Sequence, residues 1–136
     1  MKVDVRKLYN EEDSGLLGEW SDYTPMINAF GNVAIRVDSG NYSGDTYVLY
    51  NEGHKFGYLS FGWGSCTGCD ALQACKNLDE VQTLCDELYN SIKWFKPQSE
   101  ALDWFIKHDW EGDYSWSDDN TKVFVDMAIH YLRKIK

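Results

Sequence analysis

The residues best suited to chemistry are four cysteines, three of which lie in or just after a glycine-rich turn. Cys66 and Cys69 form a C-x-x-C pair within Gly62-Trp63-Gly64-Ser65-Cys66-Thr67-Gly68-Cys69-Asp70, and Cys75 follows. Thiolates bind zinc and act as nucleophiles or redox groups. Glycines allow backbone conformations closed to other residues, and successive free N–H groups in such a turn favour a thiolate or an anion.

Three interpretations of this turn remain open. A zinc site would start from Cys66 and Cys69 and be completed by Cys75 and Cys85 or by His54 and His108. Zinc prefers two close ligand pairs, whereas Cys75 and Cys85 are well separated in sequence and Cys85 lies on a predicted apolar helix face. A redox or nucleophilic thiol suits C-x-x-C at a helix start, although a thioredoxin-like motif belongs to a βαβ pattern. The third interpretation, our working expectation, is that the cysteines are small half-buried residues of the turn. We therefore expect no cofactor, with zinc as the one left open.

A second group of residues interleaves acids with aromatic rings. The candidate partner-binding residues are Trp110, Glu111, Asp113, Tyr114, Trp116, Asp118 and Asp119. Aromatic rings supply contact area, and carboxylates complement Arg and Lys side chains of a partner. The alternative is a connecting loop whose tryptophans fill the core and whose acids are solvated.

The charge balance limits the class of partner. The net charge is −9, and the stretches 11–22 and 100–119 carry five acids with no base and seven acids with one Lys. Such a chain is repelled by the phosphates of nucleic acid, so we expect no direct nucleic-acid binding. A protein with a basic surface is the favoured partner, including one whose groove normally holds DNA or RNA.

The length and hydropathy predict one cytoplasmic domain. The chain of 136 residues has the size of a single domain, 1–136, and 43% of it is apolar. No run approaches the roughly 20 apolar residues that span a bilayer, and the N-terminus has no apolar signal region. Common motifs for nucleotide binding, serine hydrolysis or metalloproteolysis are absent from the sequence, which favours a protein without catalysis.

Hydrophobic periodicity predicts an α+β fold: a three-stranded antiparallel meander packed on one face against C-terminal helices. The strands fall within residues 33–61: apolar residues alternate with polar ones over 33–38, residues 46–50 are β-branched and aromatic, and residues 55–61 are rich in aromatic rings. The principal helices are expected over 78–95, with Asn77 and Glu80 as a capping pair and Cys85 buried, and over 120–135. The apolar stripe of the last helix is expected to be Val123, Met127, Tyr131 and Ile135.

The run from Phe61 to Gln73, together with Trp110-Glu111-Gly112-Asp113-Tyr114, resembles small proteins of bacteriophages and prophages. The resemblance covers roughly the C-terminal half of the chain. It implies an accessory role in a phage or prophage and transfers no catalytic residues, because the group has no established activity. Combined with the charge, it predicts inhibition or modulation of a host protein, with a nucleic-acid-handling defence enzyme as one candidate. The rival prediction is a small zinc- or thiol-dependent enzyme, or a zinc-binding module, centred on Cys66 and Cys69.

Overall fold

A computed structural model describes residues 3–10, 22–39, 43–64, 70–110 and 119–135. In chain order the elements are the 3-10 helix η1 (Val5–Lys7), helix α1 (Thr24–Ala29), strands β1 (Val33–Asp38), β2 (Ser43–Asn51) and β3 (Phe56–Gly64), helix α2 (Leu78–Ser91), strand β4 (Lys93–Phe95), and helices α3 (Gln98–Lys107) and α4 (Asp119–Lys134).

The strands form one antiparallel sheet in the order β1-β2-β3-β4, which confirms the α+β class and the predicted meander. The fourth strand differs from the sequence prediction, which continued the helix to Phe95. Helix α2 ends when Ile92 adopts extended backbone (φ −64°, ψ 128°). The next residues then pair with β3, with Phe95 opposite Phe56.

Helices cover both faces of the sheet, whereas the sequence predicted them on one face. Strand side chains alternate between faces, so each strand contributes to two cores. On one face, Val48, Tyr50 and Leu59 pack with residues of α1 and α2; we call this the α2 face. On the other, Tyr47 and Leu49 pack with residues of α3 and α4; we call this the α4 face.

Helix α2 begins as predicted. The Asn77 side-chain oxygen accepts a hydrogen bond from the Glu80 N–H at 2.9 Å, and the Glu80 carboxylate accepts one from the Lys76 N–H at 3.0 Å. This arrangement is a variant of the capping box, in which the Glu80 carboxylate accepts the N–H of Lys76 instead of the N–H of the N-cap residue Asn77. Cys85 is fully buried in the core of the α2 face, which confirms that prediction.

The predicted apolar stripe of α4 was half wrong. Val123 and Met127 are each 46% exposed, while Tyr131 and Ile135 are partly buried. The residues that enter the core, spaced four apart, are Phe124, Ala128 and Leu132, each 0% exposed. Both stripes repeat at helical spacing, and packing against β1 and α3 selects the one with the aromatic ring. No described helix combines the length and the apolar character that a bilayer crossing requires.

Replacing Phe124 by Ala should test this choice of face. Phe124 stacks against Tyr47 and contacts the rings of Tyr58 and Phe105, so its loss leaves a cavity. We expect Phe124→Ala to lower the free energy of unfolding by about 3–5 kcal/mol. Met127→Ala on the same helix should change it by about 0.5 kcal/mol or less. Urea unfolding followed by circular dichroism measures both, and equal losses would contradict the assigned stripe.

Candidate binding cleft

A cleft of about 330 Å³ opens at the end of the α2 face where β1 and β3 finish and β2 begins. There the face changes from apolar to polar, because Arg36, Asp38 and Thr46 occupy the sheet positions that follow the buried core residues along it. The lining residues are Asp22, Tyr23, Arg36, Asp38, Thr46, Trp63, Gly64 and Asp70. Three carboxylates, one guanidinium and two aromatic rings thus meet in one recess.

Asp70 holds the floor of this cleft together. Its carboxylate is 4% exposed and accepts four hydrogen bonds. One oxygen accepts from the Tyr23 hydroxyl at 2.9 Å and from the N–H groups of Leu72 and Gln73, and the other from the Gly64 N–H at 2.8 Å. A buried carboxylate needs such donors to offset its lost hydration. Asp70 therefore joins the end of β3 to the turn that precedes α2 and to the start of α1.

Tyr23, the residue that precedes α1, contacts this carboxylate. Its hydroxyl donates to Asp70 and accepts from the Leu72 N–H at 3.1 Å. Burial raises the pKa of Tyr23 well above its usual range, and the Asp70 charge adds to the shift. The phenol consequently stays protonated at neutral pH and serves as a hydrogen-bond donor rather than as a base.

On the opposite wall, Arg36 and Asp38 form an ion pair with a 3.2 Å separation between Nε and a carboxylate oxygen. The Arg36 Nη1 also donates to the Thr24 hydroxyl at 2.8 Å, and the Thr46 hydroxyl donates to Asp38 at 2.5 Å. These bonds fix the guanidinium between β1 and α1. Arg36 thereby neutralises Asp38 and leaves the cleft with an excess of carboxylate charge.

Two buried polar atoms beside Gly64 have no hydrogen-bond partner in the part of the chain that the structure describes. They are the indole N–H of Trp63 and the amide oxygen of Gln73. The Gln73 amide nitrogen is bonded to the Gly64 carbonyl at 2.9 Å, which orients its oxygen. Buried polar atoms are nearly always paired in proteins, so each of these two atoms is an exception.

The cysteine predictions are resolved only in part. Cys66 and Cys69 lie outside the described residues, so the zinc and thiol hypotheses for them stay predictions. Cys75 is half-buried, and its Sγ donates to the Ala71 carbonyl at 3.3 Å. Burial raises the pKa of Cys75 and of Cys85 to about 11, so both stay protonated and weakly nucleophilic at neutral pH. Within the described ranges, no group of three or more His, Cys, Asp or Glu side chains is placed to hold a metal ion.

Of the predicted partner-binding residues, the structure describes the side chain of Trp110 alone. Five of the others lie outside the described residues: Glu111, Asp113, Tyr114, Trp116 and Asp118. For Asp119, the structure describes the backbone, which begins α4, and not the side chain. Trp110 is half-buried on the α4 face, where its ring stacks on Phe105 and its indole N–H donates to the Phe105 carbonyl at 3.0 Å. Its main described contacts are therefore with the core.

The cleft was not predicted from the sequence, because its lining residues are spread over positions 22 to 70. Two local signals pointed towards it. Arg36 and Asp38 occupy alternate strand positions and therefore share a face. Asp70 precedes Ala71-Leu72-Gln73 after the glycine-rich turn, and aspartate at that place accepts the N–H groups two and three residues onward.

Comparisons with protein-family models, with curated proteins and with solved structures found no match for this chain.

Asp70→Asn should reveal how much the fold depends on this carboxylate. An amide offers one acceptor oxygen and places an NH₂ group against buried donors. We expect a loss of about 3 kcal/mol in the free energy of unfolding, since hydrogen bonds to a charged acceptor are lost and donors stay unpaired. Asp22→Asn is the matched control, because Asn still accepts from the Thr24 N–H and Asp22 is exposed. Thermal and urea unfolding would contradict the role of Asp70 if both variants were equally stable.

The two described thiols predict a loss of stability at alkaline pH. Folding raises the pKa of Cys75 and Cys85 from 9.0 to about 11, so the folded state binds their protons more tightly. Their contribution is complete below pH 9 and declines as pH rises towards 11, because the unfolded state then releases protons first. Urea unfolding at stepped pH values measures this slope. The Cys75→Ser, Cys85→Ala double variant should flatten it between pH 9 and pH 10, and an unchanged slope would refute the assignment.

Proposed function

We propose that this protein is a non-catalytic binding protein that recognises the basic surface of a partner protein through carboxylates and aromatic rings. The observation that carries the proposal is the cleft, which gathers Asp22, Asp38 and Asp70 with the rings of Tyr23 and Trp63. Carboxylates next to aromatic rings attract Lys and Arg side chains by charge, hydrogen bonding and cation–π contact.

The chemistry of the described groups supports binding rather than catalysis. Asp70 is committed to four hydrogen bonds that fix the floor of the cleft. Tyr23 and Cys75 are protonated at neutral pH, and burial raises the pKa of each further. Side chains that are held rigidly by hydrogen bonds suit recognition, because they lose little entropy when a partner binds.

The two acidic segments of the sequence attach to opposite faces of the sheet at their described ends. Asp22 ends the first segment and lines the cleft on the α2 face. The second segment, 100–119, begins within α3 and contains Trp110 on the α4 face, and it is followed by Thr121, whose hydroxyl is hydrogen-bonded to Tyr47 at 2.7 Å on the same face. The proposal therefore has two candidate contact regions, the cleft and the segment Trp110–Asp119, and an experiment must separate them.

The resemblance to phage and prophage proteins extends the proposal to an accessory factor that inhibits or modulates a host protein in the host cytoplasm. A host enzyme that handles nucleic acid fits the charge argument, because its phosphate-binding groove is basic. The acidic surface would compete with nucleic acid for that groove.

Salt dependence of partner binding tests the proposal. We expect a partner captured from host lysate by the tagged protein, then purified, to bind more weakly as ionic strength rises, mainly through a slower association rate. Joint replacement of Glu111, Asp113, Asp118 and Asp119 by their amides should weaken binding by at least about tenfold if the second segment is the contact. Surface plasmon resonance measures both effects.

The matched variant changes the cleft instead, as Asp22→Asn with Asp38→Asn. Each variant is first checked by thermal unfolding, so that a loss of binding is not a loss of fold. Weakening by one set and not the other assigns the contact region. A partner that binds without salt dependence and tolerates both sets would contradict the proposed function.

A further inference from the structure

We infer that two copies of this chain associate through the outer edge of β1 and the adjacent exposed flank of α4. The pairing joins the two sheets across a two-fold axis, with β1 of one copy antiparallel to β1 of the other. The inference goes beyond the proposed function, which concerns a different partner. It rests on an open sheet edge, a β-bulge, complementary charges and an exposed apolar helix flank.

The outer edge of β1 presents backbone groups for pairing. Among the described residues, β1 pairs with β2 on one side and with no strand on the other. The Ser39 N–H donates to the Asp45 carbonyl at 2.8 Å, and hydrogen-bonded positions alternate along an antiparallel pair of strands. Val37 therefore directs its N–H and carbonyl towards β2, whereas Arg36 and Asp38 direct theirs towards the open side. Such an edge can pair with a further strand.

A β-bulge and the charges of β1 select the register of this pairing. The register with β2 shifts between Val33 and Ile35, so the regular part of β1 begins at Ile35. Outward-directed residues pair with one another, and a pairing of the regular parts is centred on Val37, with Arg36 opposite Asp38 of the second copy. A register centred on Arg36 would oppose two guanidinium groups and extend into the bulge. Opposite charges in facing positions stabilise a strand pair, whereas like charges destabilise it.

The ion pair already present in β1 is compatible with this register. Arg36 lies 3.2 Å from Asp38 of its own strand, and both side chains lie on the α2 face. In the paired strands, the second copy adds the same two charges in reversed order. The result is a network in which positive and negative groups alternate around the two-fold axis.

The flank of α4 beside this edge is apolar and exposed. Helix α4 packs mainly on β1, while α3 packs beside β4 and against α4. On one flank of the buried stripe of α4, Val125 is 9% exposed; on the other flank, Val123 and Met127 are each 46% exposed. Because the covered flank faces α3, Val123 and Met127 face away from α3, on the side of the open β1 edge.

Antiparallel pairing brings the edge and the flank into one contact. Its two-fold axis is perpendicular to the sheet, so both copies of α4 lie on the same side of the joined sheet and present Val123 and Met127 to each other. A contact of this kind uses the same surface twice and is complete in a dimer. The two clefts, each lined by Arg36 and Asp38, then lie together on the other side of the joined sheet.

Analytical ultracentrifugation and amide hydrogen exchange of the full chain test the inference. We expect a concentration-dependent dimer at about 0.15 M salt, which screens the repulsion between two chains of net charge −9. The N–H groups of Arg36 and Asp38 should exchange more slowly as protein concentration rises, while that of Val37, which points to β2, should not change. A monomer at every concentration up to millimolar would overturn the inference. Equally slow exchange of Arg36 and Asp38 in dilute protein would also overturn it, because the edge would then be covered within one chain.

Two matched variants locate the contact. Met127 and Ile106 are both apolar and are 46% and 50% exposed, but Ile106 lies on α3, away from β1. We expect Met127→Gln to weaken dimerisation at least about fivefold, since each dimer loses two apolar contacts. Ile106→Gln should leave dimerisation unchanged, and circular dichroism checks that both variants fold. Equal effects of the two variants, or no effect of Met127→Gln, would overturn the assigned interface.

Discussion

The hydrogen bonds of Asp70 connect three separate pieces of the chain. Asp70 is 4% exposed, so its carboxylate has lost most of its hydration on folding. Hydrogen bonds from Tyr23, Gly64, Leu72 and Gln73 replace the lost contacts with water. Leaving such a charge unpaired costs several kcal/mol. Movement of any of the donors away from Asp70 is therefore unfavourable, and the donors are held in place. The end of β3, the turn before α2 and the residue preceding α1 are consequently fixed with respect to one another, and the cleft is the space between them.

The two faces of the sheet explain why this space is polar. On the α2 face, β2 runs from Thr46 at the cleft to Tyr50 in the core, whose hydroxyl donates to the Ile27 carbonyl at 2.7 Å. Helices α1 and α2 cover the apolar part of that face, and the polar residues beyond it pair among themselves. On the α4 face, the aromatic rings of Tyr58, Trp104, Phe105 and Trp110 pack against one another, some edge to face and some stacked. The recess is therefore a consequence of which residues follow the core along β1 and β2.

Much of the fold could be predicted from local patterns, whereas the site could not. Strand β1 follows from alternation, β2 and β3 follow from β-branched and aromatic residues between turns, and the start of α2 follows from Asn77, because all these signals depend on near neighbours. The three-residue strand β4 carries no period of its own and exists because β3 has a free edge beside it. The stripe of α4 was ambiguous since Val123 and Phe124 begin equally regular repeats. The cleft depends on tertiary contacts between Tyr23 and Asp70, 47 residues apart, which no spacing rule encodes.

The shape of the cleft also bears on what kind of basic partner it suits. A protein that imitates nucleic acid presents a row of exposed charges comparable to the phosphates, which follow one another along the duplex. Here one carboxylate is buried, one is paired with Arg36, and the described ends of the two acidic segments lie on opposite faces. This arrangement differs from a row of exposed phosphates, so at the cleft it favours the proposed contact with basic side chains over imitation of a phosphate backbone.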